Sequence, residues 1–161
     1  MRTAPERREY LSSLSRGIRD RRAFAEVERY AMFGGYPRSG HSVIGSLLNA
    51  HPDMVVAHEL NALRYVQAGF SRLQLFSLLL VSDRKFEAHG RTWGRYEYRV
   101  PGQWQGRWRR LRVIGDKKGG ASTRRLQRSP ELLEGLRATV RVPLRIVHVT
   151  RSRSTTSRRS T

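Results

Sequence analysis

A glycine-containing turn with basic and hydroxyl side chains lies between two apolar segments. Residues 31–36 form a short apolar run that is typical of a strand, and residues 43–48 are typical of a helix. Where a strand runs into a helix, free backbone N–H groups and the positive end of the helix dipole converge on an anion. An ordinary turn is the alternative, and the GxxxxGKS/T pattern of nucleoside triphosphatases is missing. We expect phosphate contacts from Pro37, Arg38, Ser39, Gly40, His41 and Ser42.

A carboxylate and an imidazole follow the next predicted strand, at residues 54–57. Because Glu59 follows directly, it is expected at the carboxyl edge of the sheet, near the turn. A carboxylate there could accept the proton of an attacking hydroxyl group. His58 is the competing candidate base, and a first-turn glutamate favoured by the helix dipole is the structural alternative.

Two of the three lysines in the chain, Lys117 and Lys118, lie side by side between Gly-Asp and Gly-Gly, in a sequence with 29 arginines. Lysine carries a compact charge on a flexible stem and can follow a moving oxygen atom. The pair is therefore a candidate for contact with a reacting group. A solvated turn with two exposed lysines is the alternative.

These residues carry a resemblance to a known family. The run FGGYPRSGHSVIGSLLNAHPDM, residues 33–54, resembles the 5′-phosphosulfate-binding loop and following helix of sulfotransferases, whose usual form is PRSGTT or PKSGTT before an apolar helix and a His-Pro pair. It is similar to a bacterial branch with His-Ser in place of the two threonines. The resemblance implies 3′-phosphoadenosine 5′-phosphosulfate as donor, without a metal, and places residues 38–42 around its 5′-phosphate and sulfuryl group.

The resemblance also implies roles for the other candidates. LLNAHPDMVVAHE, residues 47–59, resembles the tyrosylprotein sulfotransferase pattern in which a glutamate is the catalytic base, which would be Glu59. Many cytosolic sulfotransferases use a histidine instead, which would be His58. Lys117 resembles a residue that stabilises the leaving phosphate or contacts the acceptor. The acceptor is expected to carry a hydroxyl group, and its class stays open.

The match to the family stops near the end of the chain. Residues 144–151 resemble the strand that leads to the 3′-phosphate site, and Arg151 matches its arginine. Residues 152–161 contain no apolar side chain, a composition typical of a disordered tail. One back-translation of this segment, read in another frame, gives Pro-Phe-Asp-Asn-Ile-Ala-Thr-Ile, as the family pattern requires. We therefore expect a frameshift near Arg151, and a truncated chain with little or no activity.

The elements that must position these residues alternate between strands and helices, which predicts an α/β fold with a parallel sheet and crossover helices. The resemblance implies an incomplete version of the P-loop-like sulfotransferase fold. We expect leader helices at 1–30, the N-terminal part of a sulfotransferase domain at 31–151 and the tail at 152–161. From residue 90 to 108 helical periodicity is absent, and aromatic residues alternate with Gly, Arg and Gln. This segment is either an acceptor wall or part of the core.

Composition narrows the function classes. The chain has no cysteine, which excludes disulfides, thiolate zinc sites and cysteine nucleophiles. No stretch reaches the length of a membrane span, and no apolar secretory segment opens the chain, so a cytoplasmic protein is expected. The net charge of +19, concentrated in residues 91–128 and 151–161, indicates an anionic partner. A basic nucleic-acid-binding module is therefore the alternative function, although no specific nucleic-acid motif accompanies the charge.

Overall fold

The computed structural model describes residues 7–150, so Arg151 and the predicted tail lie outside the described residues. The helices are α1 (Arg7–Arg19), α2 (Arg21–Ala25), α3 (His41–Asn49), α4 (Ala62–Gln67), α5 (Arg72–Ala88), α6 (Gly119–Arg128) and α7 (Leu132–Val140). The strands are β1 (Arg29–Gly34), β2 (Met54–His58), β3 (Thr92–Trp93), β4 (Tyr96–Glu97), β5 (Val113–Lys117) and β6 (Leu144–His148). None of the helices in residues 7–150 combines the length and the hydropathy needed to cross a bilayer.

Four of the strands form a parallel sheet in the order β2-β5-β1-β6. β1 pairs with β5 on one side and β6 on the other, and β2 pairs with β5. Each parallel pair is joined by a crossover that contains at least one helix, as parallel strands require. The predicted α/β class with a parallel sheet is confirmed. The short strands β3 and β4 form a separate antiparallel hairpin.

The hydrophobic core lies between the sheet and the helices packed on it. α3 and α5 both pack against β2, and α1 packs along α5. Because the central strands are covered by helices, their apolar residues form continuous buried runs rather than alternating ones. Side chains at most 1% exposed include Phe24, Tyr30, Phe76, Leu79, Ile114 and Leu136. This core fixes the positions at which β1, β2 and β5 end.

Helix α4 is shorter than the sequence pattern predicts. Apolar residues from 60 to 70 predict one helix, but the helical residues run only from Ala62 to Gln67. Asn61 has a left-handed backbone conformation with φ of 67°. The buried carboxylate of Asp116 accepts hydrogen bonds from the backbone N–H groups of Leu60 (3.1 Å) and Ala62 (2.7 Å). These bonds hold the preceding residues in a loop at the carboxyl end of β2.

Candidate functional site

A cavity of about 820 Å³ lies at the carboxyl edge of the sheet. Its lining comes from the loop between β1 and α3, the ends of β2 and β5, the first turn of α6 and the β3–β4 hairpin. Ligands of open α/β folds bind outside the carboxyl ends of the strands. The cavity is therefore in the expected position, and it collects most of the predicted site residues.

The loop between β1 and α3 has two residues with positive φ and opens onto the cavity. Gly40 has φ of 103° immediately before α3 begins at His41, a conformation that is strained for residues with a side chain. Arg38 also has a positive φ, 65°, and its side chain is exposed. Pro37, Arg38 and Gly40 line the cavity, so the N-terminus of α3 opens onto it.

His41 and Ser39 hold the loop together. The His41 side chain is buried, with Nε2 at 3.0 Å from the carbonyl oxygen of Gly34 and Nδ1 at 3.0 Å from Oγ of Ser39. Since the carbonyl can only accept, Nε2 donates to it and Nδ1 accepts from the serine hydroxyl. Ser39 does not line the cavity. Its hydroxyl braces the loop through the bond to His41, and its expected phosphate contact stays a prediction.

Lys117 joins β5 to the loop region. Its side chain is 3% exposed, and its Nζ donates to Oγ of Ser42 at 2.9 Å. The stem of the lysine passes so close to α3 that a Cβ on Gly45 would lie 2.8 Å from Cγ of Lys117. The solvated-turn alternative is wrong for Lys117, which is buried at the floor of the cavity.

Glu59 is the acid that compensates this buried charge. Its Oε1 lies 2.5 Å from Nζ of Lys117, and its Oε2 pairs with Lys118. Burial would raise the pKa of Glu59, but the charges and hydrogen bonds of the two lysines outweigh it and hold this pKa below its ordinary value. Glu59 precedes α4 by three residues and has φ of 64°. The first-turn alternative is therefore wrong.

His58 occupies a different environment from Glu59, although the two are neighbours in sequence. Its ring stacks on Phe86 with centroids 4.1 Å apart and also contacts Trp93 and Tyr98. It does not line the cavity. Burial, followed by the charge of Lys117, lowers the pKa of His58 to about 3. An imidazole in this setting packs as a neutral aromatic ring and makes a poor proton acceptor.

The last predicted site residue, Arg151, lies outside the described residues. The strand before it is described: β6 pairs with β1 and ends beside the loop. A Cβ on Gly35 would lie 2.9 Å from Cδ2 of His148, and one on Gly40 would lie 3.8 Å from Cγ1 of Val149. The carboxyl end of β6 is therefore adjacent to the loop between β1 and α3.

Three residues of the site were not among the predicted ones: Asp116 positions the Glu59 loop, Arg124 lines the cavity, and Gly45 leaves room for Lys117. The sequence carries a signal for Asp116, because an acid within a buried strand needs partners. Gly45 and Arg124 carry no comparable signal.

The electrostatics of the cavity favour an anion with several charges. Five basic residues line it together with the N-termini of α3 and α6: Arg38, Arg95, Lys117, Lys118 and Arg124. Two acids that also line it, Glu59 and Glu97, neutralise part of this charge. Within residues 7–150, no group of three or more His, Asp or Glu side chains is placed to hold a metal ion.

No family model, curated protein or solved structure matches this chain.

Proposed function

We propose that this chain is a sulfotransferase that binds 3′-phosphoadenosine 5′-phosphosulfate and transfers its sulfuryl group to an acceptor hydroxyl. One observation supports this most strongly: the loop with the family-like PRSGHS sequence opens onto the same cavity as the Glu59–Lys117 pair. An anion-binding helix terminus, a carboxylate and a buried lysine thus meet within one space. These are the groups that sulfuryl transfer requires.

In the proposed reaction the acceptor oxygen attacks sulfur in line with the leaving phosphate. The new oxygen–sulfur bond forms as the bond from sulfur to the 5′-phosphate oxygen breaks, and the electron pair leaves with adenosine 3′,5′-bisphosphate. Arg38 and the backbone N–H groups at the start of α3 stabilise the phosphate. Lys117 stabilises the nonbridging sulfuryl oxygens. Preorganised cations and dipoles of this kind carry most of the catalysis in the related phosphoryl transfers.

Glu59 receives the acceptor proton. As an ion-paired carboxylate with a lowered pKa it is ionised at neutral pH, but pairing with two lysines also weakens it as a base. In the proposed complex the sulfuryl oxygens compete with Glu59 for the ammonium group of Lys117, while Lys118 stays paired with the carboxylate. The carboxylate then regains part of its basicity when the acceptor must be deprotonated.

The charge of the chain gives less support to nucleic-acid binding than the composition alone does. Of the basic residues in the 91–128 segment, seven form ion pairs with acids outside that segment: Arg91, Arg99, Arg109, Arg110, Arg112, Lys117 and Lys118. Buried Arg91 is held within the protein by Asp83 and Glu87. Acids of the same chain therefore neutralise part of the positive charge of this segment.

Calorimetric titration with adenosine 3′,5′-bisphosphate tests the proposal. A sulfotransferase gives a saturable isotherm with one site per chain, and bound 3′-phosphoadenosine 5′-phosphosulfate competes for that site. A nucleic-acid-binding module gives no such isotherm but binds bulk DNA with a steep salt dependence. Absence of saturable nucleotide binding both by this chain and by a version that continues past Arg151 in the alternative frame would exclude the proposed function.

A further inference from the structure

The β3–β4 hairpin forms one wall of the cavity. Trp93 and Tyr96 are directly opposite each other across its strands, so their side chains share one face. They are 51% and 60% exposed, respectively, and both line the cavity. The aromatic segment predicted from the sequence is therefore not core at these two positions. Two large rings exposed together at a cavity are a feature of ligand-binding surfaces.

The hairpin is fixed from beneath. Arg91, just before β3, is 1% exposed and pairs with Asp83 at 2.9 Å and with Glu87 at 2.5 Å. The backbone N–H of Tyr98, just after β4, donates to the carbonyl of Arg91 at 2.9 Å. A buried ion pair thus clamps the base of the hairpin. The two exposed rings form a preorganised surface, because little order has to be gained when a ligand stacks on them.

Trp93 and Tyr96 each contact one other aromatic ring and still expose about half of their surface. Trp93 contacts the ring of His58, with centroids 5.4 Å apart, and Tyr96 contacts Tyr98 at 6.5 Å. His58 in turn stacks on Phe86. The aromatic cluster therefore runs from the interior to the cavity and ends in Trp93 and Tyr96.

The strand order indicates which substrate meets this wall. The phosphate loop follows β1, and the strand leading to the expected 3′-phosphate site is β6, which lies next to β1. The nucleotide of the donor therefore extends over β1 and β6. The hairpin lies on the opposite side, where Trp93 touches the end of β2 through His58. The wall faces the acceptor rather than the adenine ring.

We infer that the acceptor is a carbohydrate, with the apolar face of one sugar ring stacked on Trp93 and Tyr96 and one hydroxyl directed to Glu59. This inference rests on the proposed function. The C–H faces of a pyranose ring pack against aromatic rings, with weak C–H contacts to the π-system in addition to apolar burial. Arg95 and Glu97, which line the same wall, offer hydrogen bonds to the remaining hydroxyl groups.

The composition of the wall favours a sugar over a phenol or another flat apolar acceptor. Apolar ligands are usually enclosed and bury most of their surface. Here the aromatic pair is half open to solvent, and charged side chains lie on both sides of it. A hydroxyl-rich ring keeps its polar edge solvated or hydrogen-bonded in such a place, whereas a phenol gains little there.

The test uses the full chain saturated with adenosine 3′,5′-bisphosphate and an array of neutral pyranose oligosaccharides, with tyrosine peptides and simple phenols on the same array. We expect retention on a subset of the oligosaccharides. Trp93→Ala and Tyr96→Ala should each weaken the affinity for the retained oligosaccharides about tenfold. Trp93→Phe should restore most of it. The control is Tyr10→Ala, which removes a partly exposed aromatic ring on α1, away from the cavity lining. It should leave the affinity for the retained oligosaccharides unchanged.

Nucleotide affinity, measured by calorimetry on the same samples, separates the two proposals. If adenosine 3′,5′-bisphosphate binds but no oligosaccharide is retained, or only phenols and tyrosine peptides are, the carbohydrate inference is wrong and the sulfotransferase proposal stands. If Trp93→Ala weakens nucleotide binding instead, the wall holds adenine and the inference is again wrong. If the nucleotide does not bind at all, both proposals fall.

Discussion

Strands β5 and β6 both pair with β1. The more polar strand, β5, is the more deeply buried of the two. β5 (VIGDK) ends in an acid and a base, and four of its five residues are buried. β6 (LRIVH) is the more apolar of the two, and none of its five residues is fully buried. β5 lies between two strands, whereas β6 pairs only with β1 among the described residues.

The difference shows where the site is built and where the sheet is open. Charged residues are buried only when they have partners, and on β5 both have them: Asp116 holds the Glu59 loop and Lys117 pairs with Glu59. On β6, Ile146 is 53% exposed. The end of β5 is therefore held by buried contacts, while β6 has apolar surface open to further contacts.

The largest effect is expected on turnover when Glu59, which pairs with Lys117 at the end of β5, is replaced. Glu59→Gln should lower turnover about 100-fold while adenosine 3′,5′-bisphosphate binding stays nearly unchanged, because the base acts in the transition state. Since this chain is expected to turn over poorly, rates are measured with labelled donor in a version that continues past Arg151 in the alternative frame.

The matched control for that variant is His58→Phe, which keeps the stacked ring and removes both nitrogens. It should retain most of the activity, because His58 acts as a packing group. An inactive His58→Phe enzyme beside an active Glu59→Gln enzyme would show that the histidine is the base.

A smaller effect is expected on stability when Asp116 is replaced, and this effect depends on pH. Below pH about 4, Asp116→Asn should lower the free energy of unfolding by about 1–3 kcal/mol, because the amide nitrogen stands where one of two oxygens faces a backbone N–H group. Burial raises the pKa of Asp116 to about 6, so the folded state binds this proton more tightly than the unfolded chain. Stability from the protonated group is present below pH about 4 and is lost as the pH rises through about 6.

Urea unfolding of both proteins at several pH values measures this difference. The gap in unfolding free energy between wild type and Asp116→Asn should narrow between pH about 4 and about 6. Titration of other groups, such as Glu59, changes the unfolding free energy of both proteins and therefore does not contribute to the gap. A gap that is constant, or that widens with pH, would contradict the buried position of this carboxyl.

The smallest effect is expected on the open strand. Ile146→Thr should change the unfolding free energy by no more than about 0.5 kcal/mol, as for other exposed positions. Ile114→Thr on β5, fully buried, is the matched control and should cost about 2 kcal/mol or more, because it removes a methyl group and buries a hydroxyl. Similar losses at the two positions in chemical unfolding would show that β6 is as well covered as β5.

Much of the fold could be predicted because it depends on local patterns. The apolar runs that become β1, β2, β5 and β6 and the helix after the glycine turn follow from periodicity and turn chemistry. The position of Glu59 at the carboxyl edge follows from its place after β2. These features need only the order of elements along the chain.

The rest depends on contacts between distant segments, which periodicity does not encode. The bond from Lys117 to Ser42 spans the sheet and α3, and the stacking of His58 on Phe86 depends on how α5 crosses β2. Helix α4 is shorter than predicted because of one carboxylate on another strand. Ser39 does not line the cavity because its hydroxyl group bonds the buried ring of His41. Each outcome requires the tertiary structure.

The most direct test of the account is calorimetric titration of Arg38→Ala with adenosine 3′,5′-bisphosphate. Arg38 lines the cavity beside the N-terminus of α3, and loss of a charge-assisted hydrogen bond should weaken binding by about 1.5–3 kcal/mol, or roughly 10- to 100-fold. Arg128→Ala, which removes an exposed arginine in the last turn of α6, should leave the affinity unchanged. Unchanged affinity in a folded Arg38→Ala protein, or equal losses in both variants, would contradict the assignment of this loop to the donor phosphate.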